Sequence, residues 1–249
     1  MTDDAFRERI LRRLDAFMEE SGARGPLNRL LEALPVGGGL YLVGGALRNL
    51  AMQEIHGSAP SVEDLDLFVT GVDERFNPGS VLGGEAWEFT DLGGVRWHPR
   101  RCGPAFDIGV MARFLPLRKF RLPPGLDSLL RTIDFNVNAA VFDVRERVLH
   151  QRNFVESIRR RVMDFNTRLF YDQVIMAYRV LEINTKIRFA YSRVLFDYVQ
   201  RFIDEKVLGA VKPLLISKLG KDFAARVMED YRTVCGYGSY DEYLKETPP

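Results

Sequence analysis

Residues 41–71, YLVGGALRNLAMQEIHGSAPSVEDLDLFVTG, decide how the rest of the chain reads. An apolar run ends in two glycines and an arginine follows one turn on. Asp64 and Asp66 then stand one residue apart inside a second apolar run. Ionised carboxylates taken out of water are costly unless something compensates them. In a strand, residues i and i+2 face the same way, with Cα atoms about 6.6–6.8 Å apart. The pattern predicts a strand that sends Leu65 and Leu67 into a core and projects both aspartates together on the other face. Two carboxylates at that range repel each other unless a cation lies between them. Mg²⁺ suits the need, since it takes one or two carboxylates and then substrate phosphates. An exposed strand end with both acids in water is the alternative, and Asp-x-Asp alone does not decide.

Three neighbours favour the metal. Gly44-Gly45 precedes a helix whose N-terminal N–H groups suit a phosphate, although a tight strand-to-helix turn also accounts for the pair. Arg48, one turn inside that helix, can reach the same anion. Asp107 lies mid-strand in FDIGV, between Phe106 and Ile108, and offers a third carboxylate from a neighbouring strand. The spacing leaves room for one helix between the first strand and the acidic one.

The surrounding sequence sets the frame. The chain has 249 residues, 46% of them hydrophobic, enough for one large domain or two modest ones. A net charge of +1 implies no general polyanion or polycation partner. Charge is uneven, however: Arg96, Arg100, Arg101, Arg113, Arg118, Lys119 and Arg121 fall in one stretch with Asp107 as its sole acid, and a second basic cluster runs from Arg145 to Arg161. Solvated faces or phosphate-binding surfaces both fit. The two cysteines, Cys102 and Cys235, match no metal or redox spacing and suggest a reducing compartment. The N-terminus lacks the pattern of a signal peptide, and no apolar run approaches the ~20 residues that cross a bilayer. A cytoplasmic protein with no membrane partner is expected.

Phe6, Ile10, Leu14 and Phe17 predict an amphipathic opening helix. PLNRLLEALP predicts a short second helix, GGGLYLVGG a buried strand, and ALRNLAMQEIHG a helix stopped by Gly57. EAWEFTDLGGVRWHP reads as a hairpin around Gly93-Gly94, with Trp87, Phe89 and Trp97 packing in the core or on the sheet, or an exposed one of them stacking on a base. LPLRKFRLPPG reads as a basic loop, and FNVNAAVFDV as a strand paired with Val148-Leu149. Beyond residue 150 apolar residues recur at helical steps, among them Phe170, Val174, Tyr178 and Leu181. The expected fold is α+β, with a mixed-sheet front over residues 1–150 and an all-helical back over 151–249. The aromatic residues of the back, Tyr171, Tyr178, Phe189, Tyr191, Phe196 and Tyr198, read most simply as core, with stacking on a base as the alternative.

The order of strand, Gly-Gly, helix with arginine and DLDLFV resembles the head domain of the DNA polymerase β-like nucleotidyltransferases, in particular the bacterial poly(A) polymerase and CCA-adding branch. DFNVNAAVFDV is similar to that branch's motif ending in Ile-Asn-Ala, and 172–189 stands where its neck helix reads the incoming base. The resemblance covers roughly residues 36–190. It implies a polymerase β-like head with a mixed sheet, followed by a helical neck. It also implies transfer of a nucleotide from a nucleoside triphosphate with two Mg²⁺ ions, bound by Asp64 and Asp66 and completed by Asp107 near the attacking hydroxyl. Gly44, Gly45 and Arg48 would hold the outer phosphates. Arg131 and Asp134 fall where the family contacts the ribose, and Asn138 either joins them or bonds between strands. Asp172 and Arg179 would face the base.

The pattern departs from the family at Asn49, where an aspartate is usual, and at Ile133, where an arginine is usual. The base-reading motif is broken, since Met176 stands where an arginine is expected and Arg179 lies one turn on. Base choice therefore does not carry over. The chain stops at Pro249, with little room for the larger helical domains of tRNA-modifying members, which disfavours CCA addition. The basic stretches point to an RNA 3′ end as acceptor, with a protein side chain or small molecule as alternatives. A catalytically silent nucleotide-binding module of the same fold is the competing reading; the oligomeric state is not readable.

Overall fold

The computed structural model describes residues 3–90, 93–170 and 172–247. Tyr171 and residues 91–92 of the expected hairpin lie outside these. Helix α1 (Asp3–Glu20) buries Phe6, Ile10, Leu14 and Met18 at four-residue steps, so Met18 takes the place expected of Phe17. Burying side chains of this size contributes about 1.5–3 kcal/mol each. Helix α2 (Arg24–Glu32) follows, then strand β1 (Gly39–Val43), helix α3 (Gly45–His56) and strand β2 (Asp64–Thr70). Gly57 ends α3 in the left-handed conformation, φ 72°. Strands β3 (Trp87–Phe89) and β4 (Val95–Trp97) form the expected hairpin, and β5 (Ala105–Val110) comes next.

Two short helices, α4 (Leu115–Lys119) and α5 (Leu126–Thr132), then lead to strands β6 (Ala140–Asp143) and β7 (Val148–Gln151). The first half of LPLRKFRLPPG is thus helical; Pro116 stands in the first turn of α4, where its missing N–H costs nothing. FNVNAAVFDV is only half strand. Asn136–Asn138 is a 3-10 turn, held by the Asn136 carboxamide oxygen, which accepts from the N–H groups of Val137 and Asp164. Such local bonds compete with the sheet ladder.

The sheet has seven strands in the order β3-β4-β5-β2-β1-β6-β7. Only β2 and β5 run parallel; the other neighbours are antiparallel. One face carries Leu40, Leu42, Leu65, Leu67, Val69, Phe106 and Ile108 into the main core, shared with α1 and α3. The opposite face is partly covered by a smaller cluster of Val43, Met111, Leu117, Leu129 and Val141, contributed in part by α4 and α5.

The remainder is mostly helical: α6 (Phe154–Arg160), α7 (Gln173–Ile187), α8 (Arg193–Phe202), α9 (Glu205–Leu219), α10 (Lys221–Gly236) and α11 (Tyr240–Glu246). Strands β8 (Val162–Met163) and β9 (Ala190–Tyr191) add a small parallel pair that two-residue runs gave no periodicity to predict. Phe189, Tyr191 and Phe196 are core residues as expected, whereas Tyr178 and Tyr198 are only partly buried. Cys102 and Cys235 are free thiols. Among the described residues no helix is long and apolar enough to cross a membrane.

Candidate active site

The acids sit on the less covered face of the sheet because the period of two puts them there. Along β2, Leu65, Leu67 and Val69 are buried while Asp64, Asp66 and Phe68 alternate with them. On β5, Phe106 and Ile108 are buried and Asp107 alternates. The parallel register sets Asp66 beside Asp107, and the antiparallel β4 sets Arg96 beside Asp107 on its other side. On β1, Val43 is the partner of Asp66. One cross-strand row thus reads Arg96, Asp107, Asp66, Val43.

Arg96 is the residue that sequence reasoning misplaced by counting it with a basic surface. Its Nη1 lies 3.1 Å from Asp107 Oδ2 and its Nη2 lies 3.7 Å from Asp64 Oδ2. The signal was present, since Val95 and Trp97 are apolar and Arg96 must face the other way. The strand order that brings it to Asp107 was not readable.

Electrostatics in the row are unfavourable to charge. Burial, then Asp64 and Asp107, push the Asp66 carboxyl up to about 7, against smaller pulls from Arg179 and Arg48. Asp107 is also raised, first by burial and despite Arg96. Its Oδ1 is buried without a hydrogen-bond partner. Among the described residues no three carboxylate, histidine or cysteine side chains form a ready-made metal cage. What the row offers is a set of hard oxygen donors, one of them unsatisfied, short of positive charge. That donor set fits Mg²⁺, which completes its shell with waters and phosphates.

The glycine turn belongs to the same place. Gly44 precedes α3 at φ 79°. The backbone conformation demands glycine, and a Cβ there would lie 2.5 Å from Asp66 Oδ2 and push that carboxylate aside. The N-terminus of α3 therefore opens beside the Asp66 carboxylate, with no side-chain cap on it. Arg48 is buried, 6% exposed. It donates from Nη1 to Asn138 Oδ1 at 2.9 Å and from Nε to Asn49 Oδ1 at 3.0 Å. Asn49 in turn donates to the Ser61 carbonyl at 3.0 Å. Burial lowers the Arg48 guanidinium to about 10, with Glu182, Asp134 and Asp66 opposing. Arg48 is therefore a buried tie between α3 and the Asn136–Asn138 turn as well as a charge near Asp66.

Asp134 pairs with Arg179 of α7, whose charge also acts on the Asp66 carboxyl. Arg131 and Asp172 lie elsewhere. Arg131 is half exposed, 3.9 Å from Asp127. Asp172 caps α7, its Oδ1 accepting from the Ile175 N–H at 2.9 Å. Both line a cavity of about 1220 Å³ whose walls include none of the three acids.

No protein-family model matches the sequence, and no curated protein matches it. Solved structures do. A CCA-adding enzyme in complex with ATP is 15% identical and superposes with a TM-score of 0.62, covering 93% of this chain and 58% of its own. A tRNA nucleotidyltransferase complexed with a primer tRNA and an incoming ATP analogue is 20% identical with a TM-score of 0.58, covering 80% and 58%. The Thermotoga maritima CCA-adding enzyme complexed with tRNA is 16% identical with a TM-score of 0.53, covering 93% and 50%. The chain shares its fold with the matching parts of these CCA-adding and tRNA nucleotidyltransferase structures. At these identities the likeness is one of fold, and the chain spans 50–58% of the length of these proteins.

Proposed function

We propose that the chain is a Mg²⁺-dependent nucleotidyltransferase that moves a nucleoside monophosphate from a ribonucleoside triphosphate to an acceptor hydroxyl, most simply an RNA 3′ end. The observation that carries this reading is the row of Asp66 and Asp107 on adjacent strands, with Asp64 beside them and a buried Asp107 oxygen left unpaired. Residues 1–150 would act as the catalytic head, and 151–249 as the helical part that supplies Arg179.

In this reading Asp64, Asp66 and Asp107 hold the metal, which when bound offsets the charge of the triphosphate and of the attacking oxygen. The chain's own residues do the rest. The N–H groups at the start of α3, kept open by Gly44 and Gly45, bind the outer phosphates with the helix dipole. Arg48, positioned by Asn138 and Asn49, adds positive charge behind them. Asp134, oriented by Arg179, offers a carboxylate to the ribose. Arg131, Asp172 and Arg179 reach the nucleoside end only if the base extends along α7. The acceptor oxygen bonds to the α-phosphorus, the bridge to the β-phosphate breaks, pyrophosphate leaves, and the hydroxyl proton passes to solvent.

RNA is favoured because Arg100, Arg101, Arg118, Lys119 and Arg121 are exposed, whereas Arg96 is committed to the acids. The fold's likeness to enzymes solved with tRNA points the same way.

The Arg96 bridge favours one other reading, a nucleotide-binding module without chemistry, in which arginine permanently replaces metal. Incubation with Mg²⁺, each labelled triphosphate and total RNA separates the two. Transfer of label by the wild type, lost in Asp64→Ala and Asp66→Ala, supports the transferase; no transfer to any acceptor supports the silent module.

A further inference from the structure

The row of charges continues past Arg96. On β3 the residue opposite Arg96 is Glu88, just as on β5 it is Asp107. Residues paired across antiparallel strands share a face, with Cα atoms about 4.5–5.5 Å apart. Arg96 therefore has a carboxylate one strand away on either side, and its long side chain reaches either by rotation alone. It has taken one side. Asp107 and Asp64 hold it, while Glu88 is exposed on the edge strand with no ion pair among the described residues. Trp87 and Phe89, the neighbours of Glu88, turn to the other face and meet at 4.9 Å, so Glu88 alone presents β3 to the acids.

The bridge at Arg96 is of a kind that breaks readily. Its side chains are 35% exposed at Arg96, 24% at Asp107 and 46% at Asp64, and ion pairs in contact with water hold weakly. A divalent cation arriving at the same oxygens competes with the guanidinium for them and repels it. Glu88 is near enough for its charge to reach the row. Asp107 is raised first by burial, with Asp64 and Glu88 adding to the rise and Arg96 and His98 opposing it.

We propose that Glu88 is a positioning residue, which receives the Arg96 guanidinium when a divalent cation takes the oxygens of Asp107 and Asp64. Arg96 is then a removable counter-charge: it holds the empty carboxylates together and leaves them for a partner already in register. The exchange rests on the metal reading of the acids, and its test separates the failure of one from the failure of the other.

The test is a double-mutant cycle of Glu88→Gln and Arg96→Gln. Manganese binding is read by electron paramagnetic resonance at about 0.15 M salt, with a non-hydrolysable triphosphate present, so that no turnover is needed. With Arg96 in place, Glu88→Gln should weaken binding about three- to fivefold. In the Arg96→Gln background it should change binding by less than about 1.5-fold, because a charge two strands or about 10 Å from the metal is largely screened at that salt. A residue that only adds negative charge, or only steadies the hairpin, gives equal shifts in both backgrounds, and equal shifts would overturn the exchange. So would wild-type binding indifferent to Glu88→Gln. Thermal unfolding checks that each variant keeps its fold, and Arg96→Met takes the place of Arg96→Gln if that variant unfolds early. Binding to Arg96→Gln but not to the wild type would also overturn the exchange, by showing an arginine that never yields. Binding to neither would remove the metal site itself and the role of Glu88 with it.

Discussion

The cross-strand row and the cavity beside α8, lined by Arg131 and Asp172, hold their chemistry in opposite ways. In the row, four side chains are placed by strand register, and their main feature is unfavourable charge: burial and like charges raise Asp66 to about 7, and one Asp107 oxygen is left unpaired. In the cavity, the rings of Phe202 and Phe170 are placed by helical periodicity and by a loop, and their main feature is exposed apolar surface. A site that stores electrostatic cost invites a cation and a polyphosphate. A site that stores hydrophobic cost invites a base. If the two are parts of one machine, changes to one should leave binding at the other intact.

The largest effect should come from the row. Asp66→Asn removes a metal-holding carboxylate and should lower label transfer on the order of a thousandfold, with RNA binding within about twofold of wild type. A parallel fall in RNA binding would break the separation of chemistry from acceptor binding.

The next effect is on stability without metal. An aspartate in the unfolded chain titrates near 3.8, and Asp66 in the fold near 7. Between those values the folded state holds the extra proton, so stability should fall as pH rises from about 4 to about 7, by up to a few kcal/mol, then level off. Asp66→Asn should flatten this part of the curve, whereas Phe202→Ala in the cavity should leave it in place. Urea titrations across that range measure it.

Gly44→Ala is expected to cost about 1–3 kcal/mol, since φ 79° is unfavourable for a side chain and the new Cβ would lie 2.5 Å from Asp66 Oδ2. Thermal unfolding would show it.

Arg96→Gln should have the smallest effect and the most informative sign. Losing a partly exposed positive charge beside Asp64 and Asp107 should tighten Mn²⁺ binding about five- to tenfold, with Arg96→Lys closer to wild type. Weaker metal binding in Arg96→Gln would favour the silent module.

How legible these two regions were follows from their physics. The row rests on alternation, and period two is visible in DLDLFV and FDIGV, so β2, β5 and the shared face of Asp64 and Asp66 could be read directly. The glycine turn and the Gly57 stop were readable because each uses a backbone conformation that glycine favours. Strand order is a tertiary property, and that hid Arg96, whose role depends on β4 lying against β5. The Asn136–Asn138 turn was hidden because a side-chain amide outcompeted the ladder in an apolar stretch that otherwise suits a strand. The cavity was less legible still. Tyr198 and Phe202 have core-like spacing, and nothing in one helix tells which apolar face will go uncovered. Arg131 and Asp172 were expected near the nucleotide from resemblance alone, and their place in the cavity wall depends on the loop between α6 and α7.

The row's proposed role stands most directly on divalent-cation binding. Manganese titration followed by electron paramagnetic resonance, with a non-hydrolysable triphosphate present, should show saturable binding to the wild type and little or none to Asp66→Asn or Asp107→Asn. A wild-type chain that binds no manganese under those conditions, or whose binding survives both substitutions, would contradict a metal site at these carboxylates.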